Sequence, residues 1–204
     1  MRLAVVAAVL FALVYLFVED SLGPLGPVVK MAPVSILGLL VLRGSSKPAR
    51  RLAGYGLLTG AAADALIQFS FLGGLVVFLV AHLFYIAAFV RIERSLHALR
   101  LIPVALWAAV ALPLLAGHAG PLQIPVLVYG LVIFTMIWRA AAAWDSAGGS
   151  AGEIGLIGAL FFGLSDTLLG YSRFVSPLPA SGFLIMGTYW AGQSLIAMSF
   201  MKRE

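Results

Sequence analysis

The stretch GAAADALIQFSFLGGLVVFLVAHLFYIAAF, Gly60 to Phe89, places one carboxylate, Asp64, and one imidazole, His82, inside sequence otherwise suited to lipid. An Asp at the centre of a membrane span costs about 2.5 to 3.5 kcal/mol even on lenient insertion scales. A second stretch of the same kind, Gly158 to Phe200, holds Asp166 and then Tyr189 and Gln193. Ionisable groups kept in such surroundings mark function by default, so a site is sought where these two stretches meet.

Around them, the chain of 204 residues is 62% hydrophobic and 10% charged, with a mean hydropathy of +1.07. Soluble domains average about 45 to 50% apolar and about 25% charged residues, so this composition defines an integral membrane protein. No polar segment is long enough for a separate soluble domain, and a single membrane domain over residues 1–204 is expected. The formal net charge is +5, but the basic residues sit in short loops between apolar runs, where they set topology and do not form a nucleic-acid surface. The absence of cysteine excludes disulfides, thiolate nucleophiles and iron-sulfur ligation. The opening MRLAVVAAVLFALVYLF lacks a small-x-small cleavage site before Glu19 and Asp20, and is expected to be the first span.

Apolar runs near the bilayer length of about 20 residues recur along the chain. They predict eight transmembrane helices, at Leu3 to Val18, Pro27 to Leu42, Leu52 to Ile67, Leu72 to Val90, Leu101 to Ala116, Leu122 to Trp144, Ile154 to Tyr171 and Ala180 to Met201. The expected fold class is therefore all-α, a polytopic membrane helix bundle. With the amino terminus inside, Arg2, Arg43, Lys47, Arg50, Arg51, Arg91, Arg94, Arg100, Arg139, Lys202 and Arg203 are cytoplasmic. That is eleven of the 13 Lys and Arg residues, leaving only Lys30 and Arg173 outside. The asymmetry predicts an even number of spans with both termini cytoplasmic, and a bacterial inner membrane is the expected location. Gly56 and Gly60, spaced as GxxxG, and Gly152, Gly155 and Gly158 offer small faces for close helix packing; monomer and homodimer both stay open. Asp64-Ala-Leu and Asp166-Thr-Leu are each followed by a related span end, HLFYIAAF and QSLIAMSF, the pattern of a parallel four-plus-four repeat.

At about 1.5 Å per residue, this topology puts Asp64 and Asp166 within about 10 Å of the outer interface. Lys30, Glu19, Asp20, Tyr171 and Arg173 fall at or near the same surface, so a polar pocket opening outward is expected. Deeper in the bundle, His82 and Tyr85 are spaced i, i+3 and Tyr189 and Gln193 i, i+4, so each pair shares a helix face and extends the pocket as hydrogen-bond partners. The structural alternative pairs Asp64 with Lys30 as interhelical glue, makes His82 an interhelical histidine, and leaves Tyr171 and Arg173 as interfacial anchors. No HExxH or clustered His and carboxylate spacing supports a zinc site, and no GxSxG elbow or phosphate loop occurs. Intramembrane aspartyl proteases also use two aspartates, but their Gly-x-Gly-Asp signature reads Gly163-Leu-Ser-Asp166 here.

Three runs carry a family resemblance: GGLVVFLVAHLFYIAAF at Gly73 to Phe89, GALFFGLSDTLLGYSRF at Gly158 to Phe174, and TYWAGQSLIAMSF at Thr188 to Phe200. With them, nearly the whole chain resembles the YhhN family of membrane proteins, the lysoplasmalogenases. Two features depart from the family pattern: Ala63 precedes Asp64 in place of Gly, and Lys30-Met31-Ala32-Pro33 stands for Lys-Pro. The resemblance implies hydrolysis of the vinyl ether bond of a lysoplasmalogen, a lysophospholipid substrate taken from the bilayer, to a fatty aldehyde and glycerophospho-ethanolamine or -choline. On this reading one of Asp64 and Asp166 is the protonated general acid and the other an ionised stabiliser that directs water, with the order left open. His82 joins them as a catalytic candidate, Lys30 or Arg173 holds the phosphate, and Tyr85, Tyr171, Tyr189 and Gln193 line the substrate. The chemistry implied by the resemblance requires neither a metal nor an organic cofactor. A proton-coupled transporter or a lipid-binding protein using the same pocket is the alternative class.

Overall fold

A computed structural model describes residues 2–18, 21–44, 46–147 and 150–202. Glu19, Asp20 and Arg203 lie outside the described residues. Those that are described form eight α-helices and no strand, in the order α1 (Arg2–Val18), α2 (Gly26–Gly44), α3 (Pro48–Leu66), α4 (Phe71–Ile92), α5 (Leu101–His118), α6 (Gln123–Ala142), α7 (Ser150–Gly170) and α8 (Ser181–Met201). Five segments are long and apolar enough to cross a membrane: Gly23–Gly44, Phe71–Ile92, Ala98–His118, Gly120–Ala142 and Ser150–Val175. These contain α2, α4, α5, α6 and α7. Helix α1 is apolar but shorter, while α3 and α8 are diluted by polar residues, among them Asp64, Tyr189 and Gln193.

The chain punctuates these helices with ordinary local chemistry. Pro48 opens α3, where a missing N–H costs nothing, and the Ser70 hydroxyl caps α4 by accepting from the Gly73 amide at 3.1 Å. The triplet Gly-Pro-Leu occurs twice, at Gly23–Leu25 and Gly120–Leu122, each time as a 3-10 turn leading into α2 or α6. Gly23 and Gly120 adopt φ of +48° and +54°, a region that favours glycine, and the proline then sets the turn. These two turns stand at the positions that a four-plus-four repeat would relate.

Side-chain size decides how the helices meet. Helices α7 and α8 pack backbone to backbone: a Cβ on Gly158 would lie 3.0 Å from the Gly192 carbonyl oxygen, and one on Gly192 2.8 Å from the Phe162 amide nitrogen. Helices α2, α3 and α4 pack in series, α8 closes against α2 and α3, and α6 bridges α4 and α7. The GxxxG pair of α3 faces inward, with Gly56 against the Tyr85 ring and Gly60 against the Gln193 amide. The outward faces carry Leu106, Val110 and Ile124, at 66%, 70% and 73% exposure, as a lipid-facing helix surface requires. The chain is thus an integral multi-pass membrane protein with a polar interior at the junction of α3, α4, α6, α7 and α8.

Candidate active site

Asp64 lies two residues before the end of α3 and Asp166 four before the end of α7, so both reach the same end of the bundle. Asp64 is buried, and its Oδ2 accepts a 2.7 Å hydrogen bond from the Tyr189 hydroxyl of α8. The i, i+4 spacing then sets Gln193 behind Tyr189: the Gln193 amide donates to the Tyr189 oxygen at 3.2 Å, and its carbonyl accepts from the Tyr85 hydroxyl of α4 at 2.6 Å. Four residues from three helices therefore form one continuous buried chain running from mid-bundle to Asp64.

Asp166 has different company. Its Oδ2 accepts from the Tyr129 hydroxyl of α6 at 2.7 Å, and the residue is half-buried at the edge of an apolar cavity. Phe71, Leu75, Leu112, Phe134 and Phe174 make its walls, and Asp166 and Tyr129 supply its polar edge. Next to Asp166, the Ser165 hydroxyl donates to the Ile185 carbonyl at 2.9 Å and ties α7 to α8. Beyond Gly170 the chain passes into a π-helical turn, Tyr171–Val175, which carries Phe174 to the cavity wall.

An aromatic partition holds the two halves in register. The Phe162 ring stands 4.7 Å from His82, 5.3 Å from Tyr189 and 6.3 Å from Phe78, centroid to centroid. His82 is fully buried, and its Nδ1 lies 2.6 Å from the Phe78 carbonyl oxygen. A carbonyl only accepts, so Nδ1 carries the hydrogen; Nε2 is buried without a partner among the described residues. His82 therefore flanks the carboxylates across aromatic rings and bonds to neither.

The basic residues are placed apart. The Lys30 ammonium sits 6.0 Å from the Tyr15 ring centroid and makes no ion pair with Asp64 within 4.0 Å, so the direct interhelical pairing is not formed, although its charge acts on Asp64 through space. Arg173 is exposed, its guanidinium carbon 4.2 Å from the ring centroid of Phe71, a residue of the cavity wall. Tyr171 is half-buried against the satellite cluster of Leu115, Ala116, Ala119 and Val126, and hydrogen-bonds to neither carboxylate. Among the described residues no three His, Asp or Glu side chains gather in a metal-holding group. Tyr129 was not singled out from sequence: one tyrosine in the run VLVYGLVIF has no spacing that marks it, and its partner is 37 residues away.

A half-buried carboxylate paired with a tyrosine at the edge of an apolar cavity, with a second carboxylate fully enclosed in a polar chain, marks the interior of this multi-pass helical membrane protein. The chain belongs to the YhhN family, whose model matches residues 25–200. It is similar to lysoplasmalogenase TMEM86B of Homo sapiens, 36% identical over 188 residues, which cover 90% of this chain and 79% of that protein. Similarity extends to lysoplasmalogenase TMEM86B of Sus scrofa at 35% over 189 residues, covering 89% and 77%, and to lysoplasmalogenase TMEM86A of Homo sapiens at 32% over 199 residues, covering 85% and 77%. No solved structure matches the chain.

Proposed function

We propose that this protein is a membrane hydrolase that cleaves the vinyl ether bond of lysoplasmalogens by acid-catalysed hydration. The observation that carries the reading is the pairing of Asp166 and Tyr129 at the edge of the apolar cavity, with Asp64 in the adjoining polar network. Membership of a family whose curated relatives are named lysoplasmalogenases supports the substrate class.

The alkenyl chain enters the cavity from the bilayer and leaves its head group at the rim, where Arg173 meets the phosphate. One carboxylic acid gives its proton to the outer alkene carbon; the π electrons form the new C–H bond, and the positive charge is shared by the inner carbon and the ether oxygen. Water adds to that inner carbon and gives its proton to the second carboxylate, producing a hemiacetal. In the collapse the first carboxylate takes back the hydroxyl proton while the second gives its proton to the departing glycerol oxygen. One water is consumed, the aldehyde and the glycerophosphodiester are released, and both carboxyls return to their starting states.

The test is aldehyde release by purified protein in detergent from lysoplasmenyl-ethanolamine and -choline, with the alkyl ether and ester lysolipids as controls. Aldehyde from the vinyl ethers alone supports the hydrolase. Folded protein that releases none overturns it and leaves the same pocket to transport or lipid binding.

A further inference from the structure

We infer that the two carboxylates are already differentiated by their hydrogen-bond supply, so that Asp166, paired with Tyr129, delivers the proton to substrate while Asp64 is the resident anion. The chemistry rests on the hydrolase reading above, but the protonation pattern belongs to the resting protein. An amide NH₂ only donates, so Gln193 gives a hydrogen to the Tyr189 oxygen, and its carbonyl takes one from Tyr85. The single Tyr189 hydrogen is then left for Asp64 Oδ2.

All three bonds therefore run one way and end on Asp64. Donors arranged in series polarise one another, and each sharpens the next, which favours negative charge at the terminus. The reverse direction, a protonated Asp64 giving its hydrogen to Tyr189, would leave the phenol hydrogen of a residue only 4% exposed without an acceptor. Lys30 on α2 adds a positive charge acting on Asp64 through space.

Asp166 receives none of this. Tyr129 is its one hydrogen-bond donor among the described residues, and no other hydrogen bond feeds the Tyr129 hydroxyl. Arg173, seven residues on, lies against the Phe71 ring instead of a carboxylate. Oδ1 accepts no hydrogen bond in either carboxyl among the described residues, so each has room for a proton while Oδ2 accepts from its tyrosine, and the donor series and Lys30 on the Asp64 side decide which of the two keeps it. Two carboxylates within electrostatic reach in a low-dielectric interior resist ionising together, and the one supplied with a donor chain and a cation takes the charge. In the reaction, Asp166 protonates the alkene, Asp64 receives the proton of the attacking water, and Tyr85, Gln193 and Tyr189 act as positioning residues that hold Asp64 in its accepting state.

The test is infrared spectroscopy of purified protein at neutral pH, H₂O against D₂O, reading the C=O stretch of protonated carboxyls. A band present in the unaltered protein should be lost in Asp166→Asn and kept in Asp64→Asn. Tyr129→Phe, which keeps both carboxyls, should shift it to higher frequency, and Tyr189→Phe should leave it in place. A band lost in Asp64→Asn and kept in Asp166→Asn, or moved by Tyr189→Phe and not by Tyr129→Phe, reverses the assignment; no such band at all removes it. Because no substrate is present, these outcomes are read separately from aldehyde release.

Discussion

The Tyr85 ring lies against Gly56, so closely that a Cβ there would come within 2.6 Å of the ring carbon Cε1. The missing side chain on α3 is what lets a fully buried tyrosine of α4 place its hydroxyl on Gln193. A small-residue face on α3 thus positions a polar chain that passes through α4 and α8 and ends on a carboxylate of α3 itself, about two turns further on.

Gly56→Val should therefore break the Tyr85–Gln193 bond by displacing the ring. Overpacking of this kind costs about 1 to 3 kcal/mol, seen as a lowered melting temperature in detergent, and aldehyde release should fall with it. Gly187→Ala on α8, where a Cβ would meet nothing within 4 Å, is the matched control and should leave both unchanged.

Asp64→Asn and Asp166→Asn should each lower turnover by at least about 100-fold, the range removed with a general acid or base. Both variants keep an oxygen that can accept from Tyr189 or Tyr129, so melting temperatures should stay close to that of the unaltered protein. Near-normal turnover in either folded variant would rule out the two-carboxylate mechanism.

How far the sequence led is clear from these residues. Asp64, Asp166, His82, Tyr85, Tyr189 and Gln193 stood out because a polar group in an apolar span costs free energy whatever its partner. The partners did not stand out, since Tyr129, Phe162 and Phe78 are side chains any lipid-facing or core helix can carry. The helix order followed from apolar run length, yet α3 and α8 fall short of a composition-based span, α3 because Arg50 and Arg51 join Asp64 in it and α8 because Tyr189 and Gln193 dilute it. The π-turn at Tyr171–Val175 has no pattern in the sequence, as it depends on how the segment packs against α5.

Arg173 and Lys30, grouped together by sequence as phosphate ligands, should separate in kinetics. Arg173→Ala, beside the cavity-wall residue Phe71, should raise KM about tenfold, or about 1.4 kcal/mol of binding, with kcat little changed. Lys30→Ala should instead lower kcat, because its charge acts on Asp64 and its ammonium rests near Tyr15. Steady-state kinetics across lysoplasmenyl-ethanolamine concentrations distinguish the two, and the opposite pattern would make Lys30 the phosphate ligand.

At the opposite end of the bundle, Glu93 follows α4. Its carboxylate accepts from the Ser146 hydroxyl and from the Ser95 amide at 2.7 Å, and His97 lies 3.8 Å away. Arg139 of α6 donates to the backbone carbonyls of Glu93 and Ser95, so the segment ties α4 to the α6–α7 connection. The Ser146 bond first, then those from Ser95, hold the Glu93 carboxyl down from its usual 4.5 to about 2. A carboxyl depressed by folding contributes stability that is full above its unfolded pKa and is lost as pH falls through the folded one. The melting temperature of Glu93→Gln should accordingly lie below that of the unaltered protein at neutral pH. The difference should shrink between about pH 4.5 and about pH 2. A gap that stays constant across that window would show that the carboxyl is not held in the folded protein by these donors.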